Sequence, residues 1–237
     1  MCIRDRHIAD DLESFVRSLQ SASSAKSWNN YYGETVLSNE YVNEKKECVK
    51  SWLQQIPVKS VLDLGTNTGL FAQMAAGIGK YTVAVDADLD CIDSLYLDCR
   101  QKKISNVLPL SLDISNPSPS IGWANQERPA FLTRISTELC MALAIMHHLV
   151  IGKNIGFTQL ATTLSRIAPW LIIEFIPKTD PKVALLLETR EDIFADYNEL
   201  SFTEAFRSKF SIEKRESLQH SGRILFLMRR KDPSPES

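Results

Sequence analysis

Three carboxylates stand at the ends of short apolar segments in the first half of the chain. Asp63 ends S-V-L-D, Asp86 ends Y-T-V-A-V-D, and Asp113 follows V-L-P-L-S-L. Ligands of open α/β sheets bind at the carboxyl ends of parallel strands. A carboxylate there can accept hydrogen bonds from hydroxyl, amine or ammonium groups. We therefore predict that the three acids contact one nucleoside-containing ligand, although a single aspartate in a loop is also a common helix cap.

A glycine turn follows the first of these acids in L-G-T-N-T-G-L-F-A. Glycine permits a positive φ and a close approach of the backbone to a ligand. Asparagine tolerates the left-handed region better than most residues, so Asn67 can occupy a middle position of such a turn. We predict that Gly65, Thr66, Asn67 and Gly69 contact the ligand. The alternative is a strand, turn and helix that bind nothing.

The spacing of this turn separates two classes of ligand. A dinucleotide fingerprint, G-x-G-x-x-G, fails because Asn67 and Leu70 occupy the second and third glycine positions. A carboxylate at Asp63 would repel a pyrophosphate, whereas it suits an ammonium group. That difference favours S-adenosylmethionine, whose methionine end is zwitterionic and whose sulfonium is cationic.

The other two acids fit the nucleoside part of that cofactor. Asp86, with Ala87 beside it, is predicted to accept from both ribose hydroxyls, as an acid at this strand end does in dinucleotide sites. Asp113 is predicted to accept from the adenine amine, and the backbone N–H of Ile114 is available to a ring nitrogen.

The composition of the chain argues against several other classes of protein. The 237 residues carry 27 basic and 29 acidic side chains, a net charge of −2, which disfavours a nucleic-acid binder. No apolar run reaches the roughly 18 residues of a membrane span. The five cysteines lack metal-site spacing, so we predict no metal and a reducing, cytoplasmic location. The opening M-C-I-R-D-R has no signal-peptide character, and we expect a natural start further upstream.

Apolar periodicity and turn residues predict the elements that position these groups. Residues 1–56 are predicted to form an N-terminal helical extension or lid, 57–231 an α/β domain, and 232–237 a disordered tail. Strands are predicted over 58–63, 81–86, 107–112, 138–146, 170–175, 210–216 and 223–230. Helices are predicted over 8–20, 38–55, 70–78, 89–103, 129–135, 157–167, 182–194 and 202–209. This alternation is typical of an α/β sheet, here with an antiparallel end.

These residues carry a family resemblance over about 28–230. V-L-D-L-G-T-N-T-G, A-V-D-A-D and S-L-D-I resemble class I S-adenosylmethionine-dependent methyltransferases. I-G-W-A-N-Q-E-R-P-A-F-L, A-L-A-I-M-H-H-L-V-I-G and I-I-E-F-I-P-K-T-D-P resemble a bacterial group of nodulation-protein-related methyltransferases. The resemblance implies a doubly wound, Rossmann-like sheet of seven mostly parallel strands, with the last strand inserted antiparallel. Asn67 departs from the glycine that is usual in the central position.

The resemblance also directs attention to residues that follow the fourth and fifth predicted strands. His147 and His148 lie where such methyltransferases face the transferred methyl, and a neutral histidine can act as a general base. Glu174 is the alternative base or a carboxylate that orients the substrate. Each of the histidines could instead serve packing or cap a turn. Trp28, Tyr31 and Tyr32 are either an aromatic lid over the cofactor or a staple that holds the N-terminal helix.

The function expected is methyl transfer to an oxygen or nitrogen of a small-molecule or glycan-type acceptor, with no nucleic-acid or membrane partner. Aminopropyl transfer is an alternative enzyme activity on the same fold. A catalytically silent, cofactor-binding regulatory protein is an alternative from another class. An NAD-dependent oxidoreductase is disfavoured by the glycine spacing.

Overall fold

The computed structural model describes residues 3–19, 39–188, 190–219 and 221–232. Its strands are β1 Ser60–Leu64, β2 Tyr81–Asp86, β3 Val107–Ser111, β4 Leu139–Ala142, β5 Trp170–Phe175, β6 Phe210–Ser217 and β7 Ile224–Arg230. Its α-helices are α1 Ile3–Ser18, α2 Asn39–Gln55, α3 Leu70–Gly77, α4 Leu89–Lys102, α5 Phe131–Arg134, α6 Phe157–Ile167, α7 Pro181–Leu187 and α8 Glu199–Arg207. The structure also has a 3₁₀ turn at Trp123–Asn125 and a π-helix at His148–Gly152.

All seven strands form one sheet in the order β3-β2-β1-β4-β5-β7-β6. The first five strands pair in parallel, and β7 is inserted between β5 and β6, antiparallel to both. This confirms the predicted seven-stranded α/β sheet with its inserted antiparallel strand. The chain order reverses between β1 and β4, and such a switch point is where open sheets bind ligands.

Helices cover both faces of the sheet. Alternating side chains of a strand point to opposite faces, so Val61 packs with the α2 and α3 side and Leu62 with the α6 and α8 side. Helix α6 begins after Gly156, and its apolar positions recur at helical spacing. The side chains that it buries are Phe157, Leu160, Ala161, Leu164 and Ile167.

Strand β4 is shorter than predicted. The apolar run suggested a strand over 138–146, but pairing stops at Ala142, and Ala144 has a left-handed φ of 56°. Leu143 and Met146 are nevertheless buried, because the loop packs against the core. The apolar residues of this segment therefore indicated correctly that it is buried, but not that it forms a strand.

Two helix predictions also differ from the structure. The helix predicted over 182–194 ends at Leu187, well before the last apolar residues of that segment. Helix α1 forms, but the apolar face that predicted it is 55–62% exposed at Ile8, Leu12, Phe15, Val16 and Leu19.

Some predicted features involve residues that the structure does not describe. Trp28, Tyr31, Tyr32, the predicted loop over 21–27 and residues 233–237 of the predicted tail lie outside the described residues. The division predicted at residue 56 stays a prediction. Within the described ranges, no helix has the length and apolar character needed to cross a membrane.

Candidate functional site

The turn between β1 and α3 is shaped by left-handed backbone. Gly65, Asn67 and Gly69 have φ of 69°, 52° and 83°. The N–H groups of Gly65 and Thr66 donate to the Val85 carbonyl, at 2.8 and 3.0 Å, which ties the turn to β2. The left-handed conformation suggested for Asn67 is present, so an asparagine does stand where the turn requires a positive φ.

The two glycines are also required by their neighbours. A Cβ on Gly65 would lie 2.9 Å from Cδ1 of Ile145, in the loop after β4. A Cβ on Gly69 would lie 2.2 Å from Cδ1 of Leu95 on α4, closer than carbon atoms approach. Gly65 therefore keeps the turn close to the β4 loop, and Gly69 keeps α3 close to α4.

A cleft of about 310 Å³ opens at the carboxyl ends of β1, β2, β3 and β4, and we call it the nucleoside cleft. Its volume falls in the usual range of small-molecule sites. Six of the nine predicted cofactor contacts line it, namely Gly65, Asn67, Asp86, Ala87, Asp113 and Ile114. Asp63, Thr66 and Gly69 do not.

Asp86 is organised by the backbone around it. Its Oδ2 accepts from the N–H of Asn67 at 2.8 Å, and its Oδ1 accepts from the N–H of Asp88 at 3.0 Å. A carboxylate offers about four lone-pair sites, so Asp86 keeps capacity for a ligand hydroxyl although the Ala87 N–H also interacts with it. Burial raises the pKa of Asp86 despite these hydrogen bonds. Asp88 has a different role, since it caps α4 by accepting from the N–H groups of Asp90 and Cys91.

Asp113 is held in a similar way. Its Oδ1 accepts from the Ser115 N–H at 2.8 Å and from the Ser115 hydroxyl at 2.6 Å, and its Oδ2 lies 3.4 Å from the ammonium of Lys153. The Ser115 hydroxyl, together with the Lys153 charge, holds the pKa of Asp113 below its usual value against the opposing effect of burial. Sequence reasoning missed Lys153, which follows the π-helix and lines the cleft.

Asp63 lies at the end of β1 and is 2% exposed. Its Oδ2 accepts from the Thr66 hydroxyl at 2.7 Å, within the same turn. Burial raises the pKa of Asp63 to about 6, and the Thr66 hydrogen bond and the nearby Lys45 charge only partly oppose this. A cationic group placed beside this carboxylate would offset the cost of burying its charge.

The two histidines after β4 are placed differently. His148 lines the nucleoside cleft, whereas His147 is fully buried, and the ring centroids are 4.1 Å apart. Burial, with the charges of Lys182 and Arg223, lowers the pKa of His148 to about 4. Burial likewise holds the pKa of His147 well below its usual value, and neither of its ring nitrogens has a hydrogen-bond partner among the described residues. Both rings are therefore neutral near pH 7.

Glu174 lies in a buried set of charged and hydroxyl groups that we call the charge cluster. Tyr41 and Lys45 on α2 donate to its two oxygens at 2.5 and 2.6 Å. Arg223 donates to the Tyr41 hydroxyl at 3.0 Å and forms two hydrogen bonds with Asp180, at 2.7 and 3.1 Å. Burial would raise the pKa of Glu174, but the Lys45 and Arg223 charges outweigh it and keep the pKa below its usual value. Glu174 does not line the cleft.

Sequence reasoning also missed most of one wall of the cleft. Leu143, Ala144, Ile145 and Leu149 line it from the loop after β4 and from the π-helix. These residues looked like the end of a strand or the middle of an apolar run, so nothing in the sequence marked them as lining residues.

The sheet order, the inserted β7 and a glycine turn at the switch point together define the class I methyltransferase fold. Solved structures agree. The fold matches the N-methyltransferase NodS from Bradyrhizobium japonicum WM9 with a TM-score of 0.59 and 13% identity, over 82% of this chain and 99% of that one. It matches magnesium protoporphyrin IX methyltransferase from Synechocystis PCC 6803, solved with bound SAM, with a TM-score of 0.57 and 14% identity, over 96% and 95% of the two chains.

In sequence, the chain is similar to nodulation protein NoeA of Rhizobium meliloti (strain 1021), with 34% identity over 206 residues. The aligned region is 86% of this chain, and the chain spans 43% of the length of that relative. No protein-family model matches. The predicted resemblance to a nodulation-related protein is confirmed.

Proposed function

We propose that this chain is an S-adenosylmethionine-dependent methyltransferase that acts on an oxygen or nitrogen of a small-molecule or glycan-type acceptor. The observation that carries the proposal is the nucleoside cleft, where a left-handed glycine turn and the acids of two neighbouring strand ends line one cavity. The NoeA-like sequence and the methyltransferase fold support the same assignment.

The residues of the cleft, together with Asp63 behind the turn and outside the cleft lining, suit the parts of the proposed cofactor. The spare lone pairs of Asp86 would accept from the ribose hydroxyls, with Ala87 beside them. Asp113 and Ile114 would contact the adenine, and Gly65 leaves the backbone open to close approach. The buried carboxylate of Asp63, with its raised pKa, suits the ammonium of the methionine part. When bound, the cofactor supplies an electrophilic sulfonium methyl.

Catalysis would rest mainly on holding the acceptor in line with that methyl group. We propose His148 as the general base, because it lines the cleft and a neutral imidazole can take a proton from an acceptor hydroxyl or amine. Its pKa of about 4 keeps it neutral near pH 7 but makes it a weaker base than a solvent-exposed histidine. His147 and Glu174 remain candidates. The ring nitrogens of His147 have no partner within the described part of the chain, whereas the oxygens of Glu174 are engaged by Tyr41 and Lys45.

Calorimetry tests the cofactor first. We expect binding of S-adenosylmethionine and S-adenosylhomocysteine but not of NAD, and absence of binding to either sulfur nucleoside would disprove the proposal. Incubation with methyl-labelled cofactor and a metabolite extract then tests transfer. Binding without any labelled acceptor would favour the catalytically silent regulatory protein. Release of methyl-labelled 5′-methylthioadenosine when the donor is decarboxylated S-adenosylmethionine would favour aminopropyl transfer.

Once an acceptor is labelled, His148→Ala tests the base. We expect the rate of transfer to fall roughly 10²-fold or more. Affinity for S-adenosylhomocysteine should change little. If the variant transfers methyl at the parent rate, the remaining explanations are His147 or Glu174 as the base, or catalysis by positioning of the acceptor without a base.

A further inference from the structure

A second cavity, of about 210 Å³, lies between the sheet and its α5 and α6 cover, and we call it the apolar chamber. Its floor is formed by Leu64 of β1, Ala142 of β4 and Ile173 of β5, three neighbouring strands. Its remaining walls are Ile114, Ser115, Pro117, Leu132, Ile145, Met146, Leu149, Ile155, Leu160, Thr163 and Leu164.

The chamber is separate from the nucleoside cleft. The two cavities share Ile114, Ile145 and Leu149, which form the wall between them. Asp86, Asp113 and His148 line the cleft and are absent from the chamber. Of the residues proposed above to bind the cofactor, only Ile114 lines the chamber, as part of the shared wall.

The side chains of the chamber offer no free hydrogen-bond donor. The Ser115 hydroxyl donates to Asp113 at 2.6 Å, and the Thr163 hydroxyl donates to the Gln159 carbonyl at 3.0 Å, within α6. Every other lining side chain is a hydrocarbon or a thioether. An ordered buried water needs two to four polar partners. A charged or strongly polar guest would lose its hydration without compensation.

The chamber is partly open to the surface, because seven of its fourteen lining residues, Thr163 among them, are only half-buried. Atoms that line an unfilled apolar space lack dispersion contacts, which a bound guest would supply. An engineered apolar cavity of about 150 Å³ in another protein stays dry and binds benzene. A chamber of about 210 Å³ thus has room for a ring or a short branched chain.

We propose that the apolar chamber is a binding site for a small neutral ligand, an aromatic ring or a branched hydrocarbon group. Burial of apolar surface would drive binding, and the restored dispersion contacts would add to it. Thr163, partly exposed on α6, marks the side on which the chamber meets the surface. The proposal is independent of methyl transfer.

Benzene is the probe, and thermal unfolding of the whole chain is the measurement. A ligand that binds only the folded state raises the melting temperature, and we expect roughly 3 °C near saturation. Pyridine, of nearly the same size, should raise it much less, because the Ser115 and Thr163 hydroxyls donate elsewhere and leave no donor for the ring nitrogen. No shift with benzene, or an equal shift with pyridine, would overturn the proposal.

Two matched substitutions locate the effect. Thr163→Phe places a ring in the chamber and should abolish the benzene shift. Thr162→Phe should preserve the shift, since Thr162 lies on the same helix and makes the same kind of hydrogen bond, to Thr158, but does not line the chamber. A shift retained in Thr163→Phe would refute the assignment.

A measurement on the parent protein remains if Thr163→Phe does not fold. The benzene shift should persist at saturating S-adenosylhomocysteine, and competition would place benzene in the nucleoside cleft and refute the assignment. Failure of the sulfur nucleoside to bind would count against methyl transfer alone.

Discussion

Two groups of carboxylates lie near the carboxyl ends of the strands, and they differ in what neutralises them. In the nucleoside cleft, Asp86 and Asp113 are held mostly by neighbouring N–H and hydroxyl groups and keep access to the cavity. In the charge cluster, Glu174 and Asp180 are buried against Lys45 and Arg223. The first pair is organised locally and faces a space for a ligand. The second pair is organised by cations from distant elements.

This difference indicates different tasks. A buried carboxylate matched by a buried cation holds together the elements that carry the two groups, and removal of one partner leaves an uncompensated charge. Here Glu174 on β5 holds Lys45 on α2, and Asp180 at the start of α7 holds Arg223 just before β7. A carboxylate with spare lone pairs at a cavity can accept from a ligand instead. Three experiments test the comparison.

The largest effect is expected from the charge cluster. Glu174→Gln would leave Lys45 buried without its counter-charge, whereas Arg223 would keep its ion pair with Asp180, so we expect the free energy of unfolding to fall by about 3–5 kcal/mol. Urea denaturation measures it. Glu199→Gln is the matched control, because Glu199 and Arg215 form an ion pair of 2.7 Å with side chains 37% and 45% exposed.

The control should cost less than about 1 kcal/mol, because exposed ion pairs contribute little. Equal losses in the two variants would contradict the assignment of Glu174 to a structural role. A Glu174→Gln variant that is as stable as the parent, yet inactive, would favour Glu174 over His148 as the base.

A smaller effect is expected in the cleft. Asp86→Ala removes the acceptor proposed for the ribose hydroxyls, and hydrogen bonds to a charged group contribute about 1.5–3 kcal/mol each. We expect affinity for S-adenosylhomocysteine to fall at least roughly tenfold by calorimetry.

Asp88→Ala is the control for that experiment. Asp88 is two residues away and caps α4, so its loss should cost about 1 kcal/mol of stability and leave affinity nearly unchanged. If Asp88→Ala weakened binding as much as Asp86→Ala, the ribose assignment would be wrong.

The comparison also explains what the sequence could predict. The strand ends and the turn are local features, so Asp86, Asp113 and the left-handed Asn67 could be located from short motifs. The partners of Glu174 could not, because Tyr41 and Lys45 lie 133 and 129 residues away along the chain. The sequence therefore identified Glu174 as an acid at a strand end, but it did not show which side chains bind its two oxygens.

The wall of the cleft after β4 was missed for another reason. Periodicity distinguishes buried from exposed positions, but it does not separate a buried strand from a buried loop when every residue is apolar. Residues 143–146 are such a run, and the left-handed Ala144 within it carries no local signal of the kind that glycine or asparagine gives.

The smallest effect concerns Asp63, which lies behind the turn and shares features of both groups. It is buried like Glu174, yet its pKa is raised to about 6, so the nearby Lys45 does not fully neutralise it. An ammonium ion bound beside it would favour the ionised form and lower the pKa of the bound state. Affinity for S-adenosylhomocysteine should then be constant above pH 7 and fall below about pH 6, by at most tenfold per pH unit.

5′-Methylthioadenosine is the control for this titration, because it keeps the nucleoside and lacks the ammonium group. Its affinity reports any change at Asp86, whose pKa is also raised by burial. The ratio of the two affinities thus isolates Asp63. If the affinity for S-adenosylhomocysteine divided by that for 5′-methylthioadenosine stays constant between pH 5 and 7, Asp63 does not contact the ammonium, and its burial beside Thr66 is a feature of the turn alone. If that ratio falls as the pH is lowered from 7 to 5, Asp63 contacts the ammonium of the ligand.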